Sequence, residues 1–244
     1  MNVSPEPAED RRLEPPATGT VHAWLGFVPA MTADIERAEA ILSASELEAA
    51  GRLVRPEDRR RYHASHVMVR RLLGRYLGCA PAAVDWVVGP TGKPHLAAPA
   101  SLEFNLSHSG NWVAFGVAAF RPVGIDLEAI RTDFDPLELA AGQFSPEENA
   151  ALRREAPRDQ TAAFFRCWTR KEAYLKARGE GLGYPLADFA VAFGRGEPPA
   201  ILKAADDPRA AERWSVFDLA PAPDHAGAVV VAGRSAALTV RRWA

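Results

Sequence analysis

The chain has 244 residues, 48% hydrophobic and 25% charged, with a net charge of −2 at pH 7. These proportions match ordinary soluble proteins, and the length allows one large domain or two halves, each with a real core. The near-neutral charge gives no global case for binding nucleic acid or an anionic membrane. No apolar run is long enough to span a bilayer as a helix.

In chain order, the first 20 residues, MNVSPEPAEDRRLEPPATGT, are proline-rich and acidic and lack an apolar h-region. They are expected to form a mobile leader rather than a signal peptide or a strand. SASELEAAGRL, from residue 43, places Glu46 three residues after Ser43, the signature of a capped helix start. Between Arg52 and Arg75 lies a local excess of arginine, including Arg61. Most of it reads as solvated helix face, and a few guanidinium groups could clamp a phosphate. GPTGKPHL, at 89–96, reads either as a β-turn or as a loop presenting Lys93 and Pro94 to a phosphate. FNLSHSG then sets Asn105, Ser107, His108 and Ser109 at the entrance of a buried strand, where they either line a pocket or form a polar turn. Cys79 and Cys167 have neither metal-ligand spacing nor a disulfide framework, and each reads as a small buried residue in a reducing compartment.

VGIDLE, at 123–128, alternates. Val123, Ile125 and Leu127 share one face, and Gly124, Asp126 and Glu128 share the other. At ~6 Å and an effective dielectric of ~20, the two carboxylates repel by about 3 kcal/mol. That repulsion is relieved either by solvent at a strand end or by a cation. Further on, FFRCWTRKEAYLKARGEGL reads as a helix ending at Gly179. Its apolar stripe holds Phe164, Phe165, Trp168 and Leu175, with Glu172 and Lys176 on or beside it. Those two are either a solvated helix pair or functional groups next to a desolvated face.

SPEENAALRRE at 145 repeats the capped start at 43, an offset of 102 that also pairs Leu42 with Phe144, Arg52 with Arg154, Tyr62 with Phe164 and Leu73 with Leu175. In both copies a second helix and a strand ending in an apolar run follow. The expected fold is α+β, a pseudo-twofold pair of α/β halves over 21–121 and 122–244 with a ligand cleft between them.

Taken in order, GKPHL, FNLSHSG, VGIDLE, FSPEE and FRCWTRKEAYLKARGEGL resemble the Sfp (surfactin-type) 4'-phosphopantetheinyl transferases. Gly124 to Glu128 and Trp168 to Lys176 match that family's two signatures in full. The resemblance implies transfer of 4'-phosphopantetheine from coenzyme A to a serine of an apo carrier protein, with release of adenosine 3',5'-bisphosphate. It further implies a Mg²⁺ ion held by Asp126, Glu128 and Glu172, with Lys176 stabilising the leaving phosphate and Glu172 a candidate base. Lys93, Pro94, Ser107 and His108 would bind coenzyme A. Some family members carry lysines for the 3'-phosphate at the positions of Glu46 and Ala49, counting without gaps, so Arg52, Arg61 or another arginine would replace them. A cytoplasmic monomer serving acyl, polyketide or peptidyl carriers is expected. The rivals are a Mg²⁺-dependent nucleotide or coenzyme A phosphohydrolase and a non-catalytic module that binds carrier or coenzyme A.

Overall fold

A computed structural model describes residues 12–97 and 101–243, and within them one unit occurs twice. The first half runs β1 (Thr20–Phe27), α1 (Thr32–Glu36), α2 (Ala38–Ile41), α3 (Ala44–Gly51), α4 (Pro56–Leu77), β2 (Trp86–Val88), β3 (Pro94–Leu96), β4 (Leu102–Ser109) and β5 (Trp112–Ala119). The second runs β6 (Val123–Ala129), α5 (Pro136–Ala141), α6 (Pro146–Arg154), α7 (Pro157–Arg178), β7 (Phe189–Ala192), β8 (Ala200–Ala204), α8 (Ala210–Arg213), β9 (Trp214–Leu219) and β10 (His225–Ala232), followed by β11 (Ala237–Trp243). Each half thus has a capped short helix, a 22-residue helix, a small two-stranded sheet and a three-stranded antiparallel sheet.

Local chemistry explains the repeat. Ser43 and Ser145 each accept a hydrogen bond from the amide three residues on, and Glu46 and Glu148 reach back to the serine amides at 2.8 and 2.9 Å. Two of the orphan amides at each helix start are thereby satisfied. Both long helices begin with proline and end at a glycine in the left-handed region, Gly78 (φ 71°) and Gly179 (φ 74°), where a side chain would be strained. The uniform offset of 102 needs correction. Pro56 and Pro157 are 101 apart, as are Gly78 and Gly179, because the link from Ser145 to the long helix is one residue shorter than the link from Ser43. Phe164 therefore stands at the place of His63, not Tyr62, and Leu175 at that of Gly74, not Leu73.

The sheets are ordered β11-β1-β5-β4 and β6-β10-β9. Val21, Ala23, Leu25, Ile125, Leu127 and Val229 belong to one core that fuses them. Outside the first sheet, α4 packs Met68, Leu72 and Leu73 against Trp24, Phe104 and Phe115. Outside the second, α7 packs Ala173, Tyr174 and Ala177 against Ala226, Ala228 and Val230. Strand β11, expected in the second half, instead runs parallel to β1. Trp243 Nε1 donates to Asp34 Oδ2 at 2.7 Å, tying it to the first half.

Two further expectations change. Of the leader, residues 1–11 lie outside the described residues, but Leu13 is buried in the first core and its amide donates to Arg75 O at 3.0 Å. The segment from 12 is therefore docked. Cys167 is buried as expected, whereas Cys79 is exposed just beyond the end of α4.

One half-buried histidine, His66, makes the fold sensitive to acid. His66 stacks on Tyr62 at 3.7 Å, and its Nδ1 lies 3.0 Å from Tyr62 O. Burial, outweighing the pull of Glu46, lowers its pKa to about 4 from 6.5. Between those values the unfolded chain binds the proton that the folded chain refuses, so stability is present above 6.5 and falls as the pH drops towards 4. About 3 kcal/mol is at stake. Denaturant titrations of wild type and His66→Gln across pH 4–7 should diverge by that amount at the acid end; parallel curves would refute the assignment.

Candidate active site

The site grows out of the contact between β6 and α7. Asp126 and Glu128 face α7, as strand alternation requires, while Val123, Ile125 and Leu127 enter the shared core. The helix approaches across Gly124, where a Cβ would lie 2.0 Å from Ala173 O and 2.3 Å from Ala177 N. Only a glycine permits that approach. It brings Lys176 Nζ to 2.7 Å from Asp126 Oδ1. Gly124→Ala should therefore push α7 off β6, costing 1–3 kcal/mol or more and separating Lys176 from Asp126. A melting curve and a transfer assay that both matched wild type would contradict this account.

Around the acids the bonds are specific. Asp126, 3% exposed, accepts at Oδ1 from Ser107 Oγ (3.1 Å) as well as from Lys176. Ser109 Oγ donates to Glu128 Oε2 at 3.0 Å. Asp126 Oδ2 and Glu172 Oε1 are buried with no hydrogen-bond partner. Burial raises the pKa of both Glu128 and Glu172, and the charge of Asp126 raises each further. Together with Leu106, Ser107, His108, Trp168 and Lys176, these acids line a pocket of about 380 Å³.

Buried like charges with spare lone pairs leave room for a cation. Among the described residues, no three His, Cys, Asp or Glu side chains form a ready-made metal cluster. A hard cation that takes one or two carboxylates and completes its shell with water and substrate phosphate needs no such cluster, so the donor set fits Mg²⁺.

The other sequence candidates divide. His108 keeps an exposed edge at the pocket, and its pKa is lowered first by loss of surrounding water and then by the charge of Arg61. Arg61, on α4, does not line the pocket and is bonded to Asp58 Oδ1 at 3.3 Å. Arg52 is exposed and paired with Glu48 one helical turn away, and nothing brings it to the pocket. Lys93 does not line the pocket. Its buried ammonium donates to Val123 O (3.0 Å) and Ala177 O (3.3 Å), because the loop before β3 folds over the end of α7. Pro94, which opens β3, does not line the pocket either. Glu46 is also committed to the interior, with Arg70 Nε at 2.8 Å.

Ser109 escaped the sequence reading as a partner of the acids, although its two-residue spacing from Ser107 was the available signal. Lys171, inside the W-x-x-K-E signature, points away from the pocket to a buried pair with Glu148 at 2.6 Å.

Comparison with known proteins agrees with the sequence resemblance. Residues 122–230 match the 4'-phosphopantetheinyl transferase superfamily, and residues 29–119 match the family described as 4'-phosphopantetheinyl transferase, N-terminal. The 4'-phosphopantetheinyl transferase HetI of Nostoc sp. is 38% identical over 87% of this chain and 88% of its own length. A 4'-phosphopantetheinyl transferase of Bacillus subtilis is 32% identical over 67% of this chain and 71% of its own. The 4'-phosphopantetheinyl transferase Sfp of Bacillus subtilis (strain 168) is 33% identical over 64% and 68%.

Proposed function

Since the chain belongs to the 4'-phosphopantetheinyl transferase superfamily, we propose that it transfers 4'-phosphopantetheine from coenzyme A to a serine of an apo carrier protein. Holo-carrier and adenosine 3',5'-bisphosphate are the products. The observation that carries this reading is the pocket in which Lys176 sits against Asp126 while two buried carboxylate oxygens stay unpartnered. Asp126 and Glu128 would hold Mg²⁺, with Glu172 beside them, and the ion would supply charge neutralisation at the pyrophosphate of coenzyme A.

The remaining chemistry belongs to the chain. The carrier serine oxygen forms a bond to the pantetheine-side phosphorus while the bond to the bridging oxygen breaks, so negative charge gathers on the departing adenosine bisphosphate. Lys176, 30% exposed and so open to the pocket, would stabilise that charge. Glu172 would take the serine proton, since its Oε1 is buried at the pocket with no hydrogen-bond partner. His108, at the pocket, and Arg61, whose charge reaches it, are the groups we assign to the nucleotide phosphates. Cys79 and Cys167 are unpaired, which suits the cytoplasm.

Intact-protein mass spectrometry tests the reading. Incubated with coenzyme A and Mg²⁺, an apo carrier should gain the mass of one 4'-phosphopantetheine, and adenosine 3',5'-bisphosphate should form in equal amount. A panel of acyl, polyketide and peptidyl carriers that all stayed unmodified would overturn it. Adenosine bisphosphate released without any carrier would indicate a phosphohydrolase instead.

A further inference from the structure

Strand β6 is the outer strand of its sheet, paired with β10 along one edge only. A buried strand edge must find partners for its amides. Strand β4 of the other half supplies them through side chains rather than through its backbone. Asn105 Oδ1 accepts from the Ile125 amide at 2.9 Å, and Ser109 Oγ accepts from the Ala129 amide at 3.0 Å. Ser107 lies between them on the same face of β4 and donates to Asp126. Asn105 and Ser107 are 5% and 8% exposed, so water offers little competition for these bonds.

We infer that Asn105, Ser107 and Ser109 form a side-chain ladder that sets the two halves in register, and that Ser109 is a positioning residue for Glu128. A hydroxyl has a single proton to donate. Because the Ala129 amide already occupies a lone pair of Ser109 Oγ, that proton is directed to Glu128 Oε2. One carboxylate oxygen is thereby fixed and the other is left for a ligand. Outer partners of this kind hold ligating carboxylates in orientation, and their loss commonly weakens metal binding 10- to 100-fold. The inference rests on the proposed cation role of Glu128.

Calorimetric titration of Mg²⁺ into protein saturated with coenzyme A, with no carrier present, separates the two. Wild type should bind Mg²⁺, Ser109→Ala should bind it about 10- to 100-fold more weakly, and Ser109→Thr, which keeps the hydroxyl, should stay near wild type. In steady state the alanine variant should lose activity at limiting Mg²⁺ and recover it in excess, where the KM for coenzyme A should match wild type. Ser109→Cys, close in volume but a weak donor, should fall between, and it serves as the probe should the alanine variant fail to fold. Wild-type Mg²⁺ affinity in Ser109→Ala or Ser109→Cys would overturn the positioning role while leaving the function intact. No Mg²⁺ uptake by wild type would overturn the cation reading and this inference with it.

Discussion

Asp126→Asn is expected to lower kcat for carrier modification by at least 10²- to 10³-fold, the usual loss when a group stabilising transition-state charge is removed, while the protein stays folded. The substitution keeps the shape and one acceptor for Ser107 but deletes the charge that faces Lys176 and raises the pKa of both Glu128 and Glu172. Removing one of three clustered negative charges relieves repulsion, and Lys176, with 30% of its side chain exposed, passes to solvent at little cost. The melting temperature should accordingly hold or rise. Activity within tenfold of wild type would remove Asp126 from the chemistry, and a collapsed melting curve would make it structural.

Why one site and not two follows from comparing the halves. Strands β5 and β10 correspond end to end, and Trp24 opposes Phe115 as Asp126 opposes Ala228. Trp24 therefore stands where Asp126 stands, Gly26 where Glu128 does, and Arg71 and Arg75, at the helix offset of 101, replace Glu172 and Lys176. The first half answers each acid with an aromatic, a glycine or a cation. Trp24 is fully buried, with the Arg75 guanidinium 6.0 Å from its ring. That place is filled as core.

Much of this was legible in sequence because it depends on local rules. Both capping boxes, the glycine stops and the facing of Asp126 and Glu128 follow from spacing alone. What stayed hidden needed tertiary contact. A lysine between glycine and proline looks exposed, yet Lys93 is drawn inward by the carbonyls of Val123 and Ala177. Glu46 is indistinguishable in sequence from any surface acid until Arg70 closes on it. Likewise, nothing local announces that β11 will cross back to β1, since its partner lies more than 200 residues earlier.

The second large effect concerns Lys171, the neighbour of Glu172, and it should appear in stability rather than in chemistry. Its ammonium is fully buried, donating to both Glu148 oxygens at 2.8 and 2.6 Å and to Phe189 O at 2.7 Å. Glu148 also accepts from the amides of Ser145 and Val191, so this one carboxylate joins α6, α7 and β7. Glu46 and Arg70 repeat the arrangement in the first half. Deleting one partner of a buried pair strands the other charge, which typically costs 3–5 kcal/mol. For a chain of this size that lowers the melting temperature by on the order of 10 °C. Lys171→Met should show this loss, and Lys171→Met with Glu148→Gln should regain much of it, because the stranded charge is gone. The folded fraction of either variant should keep most of its kcat, since Lys171 does not line the pocket. Melting curves of the two variants superimposed on wild type would show that the pair contributes nothing to stability.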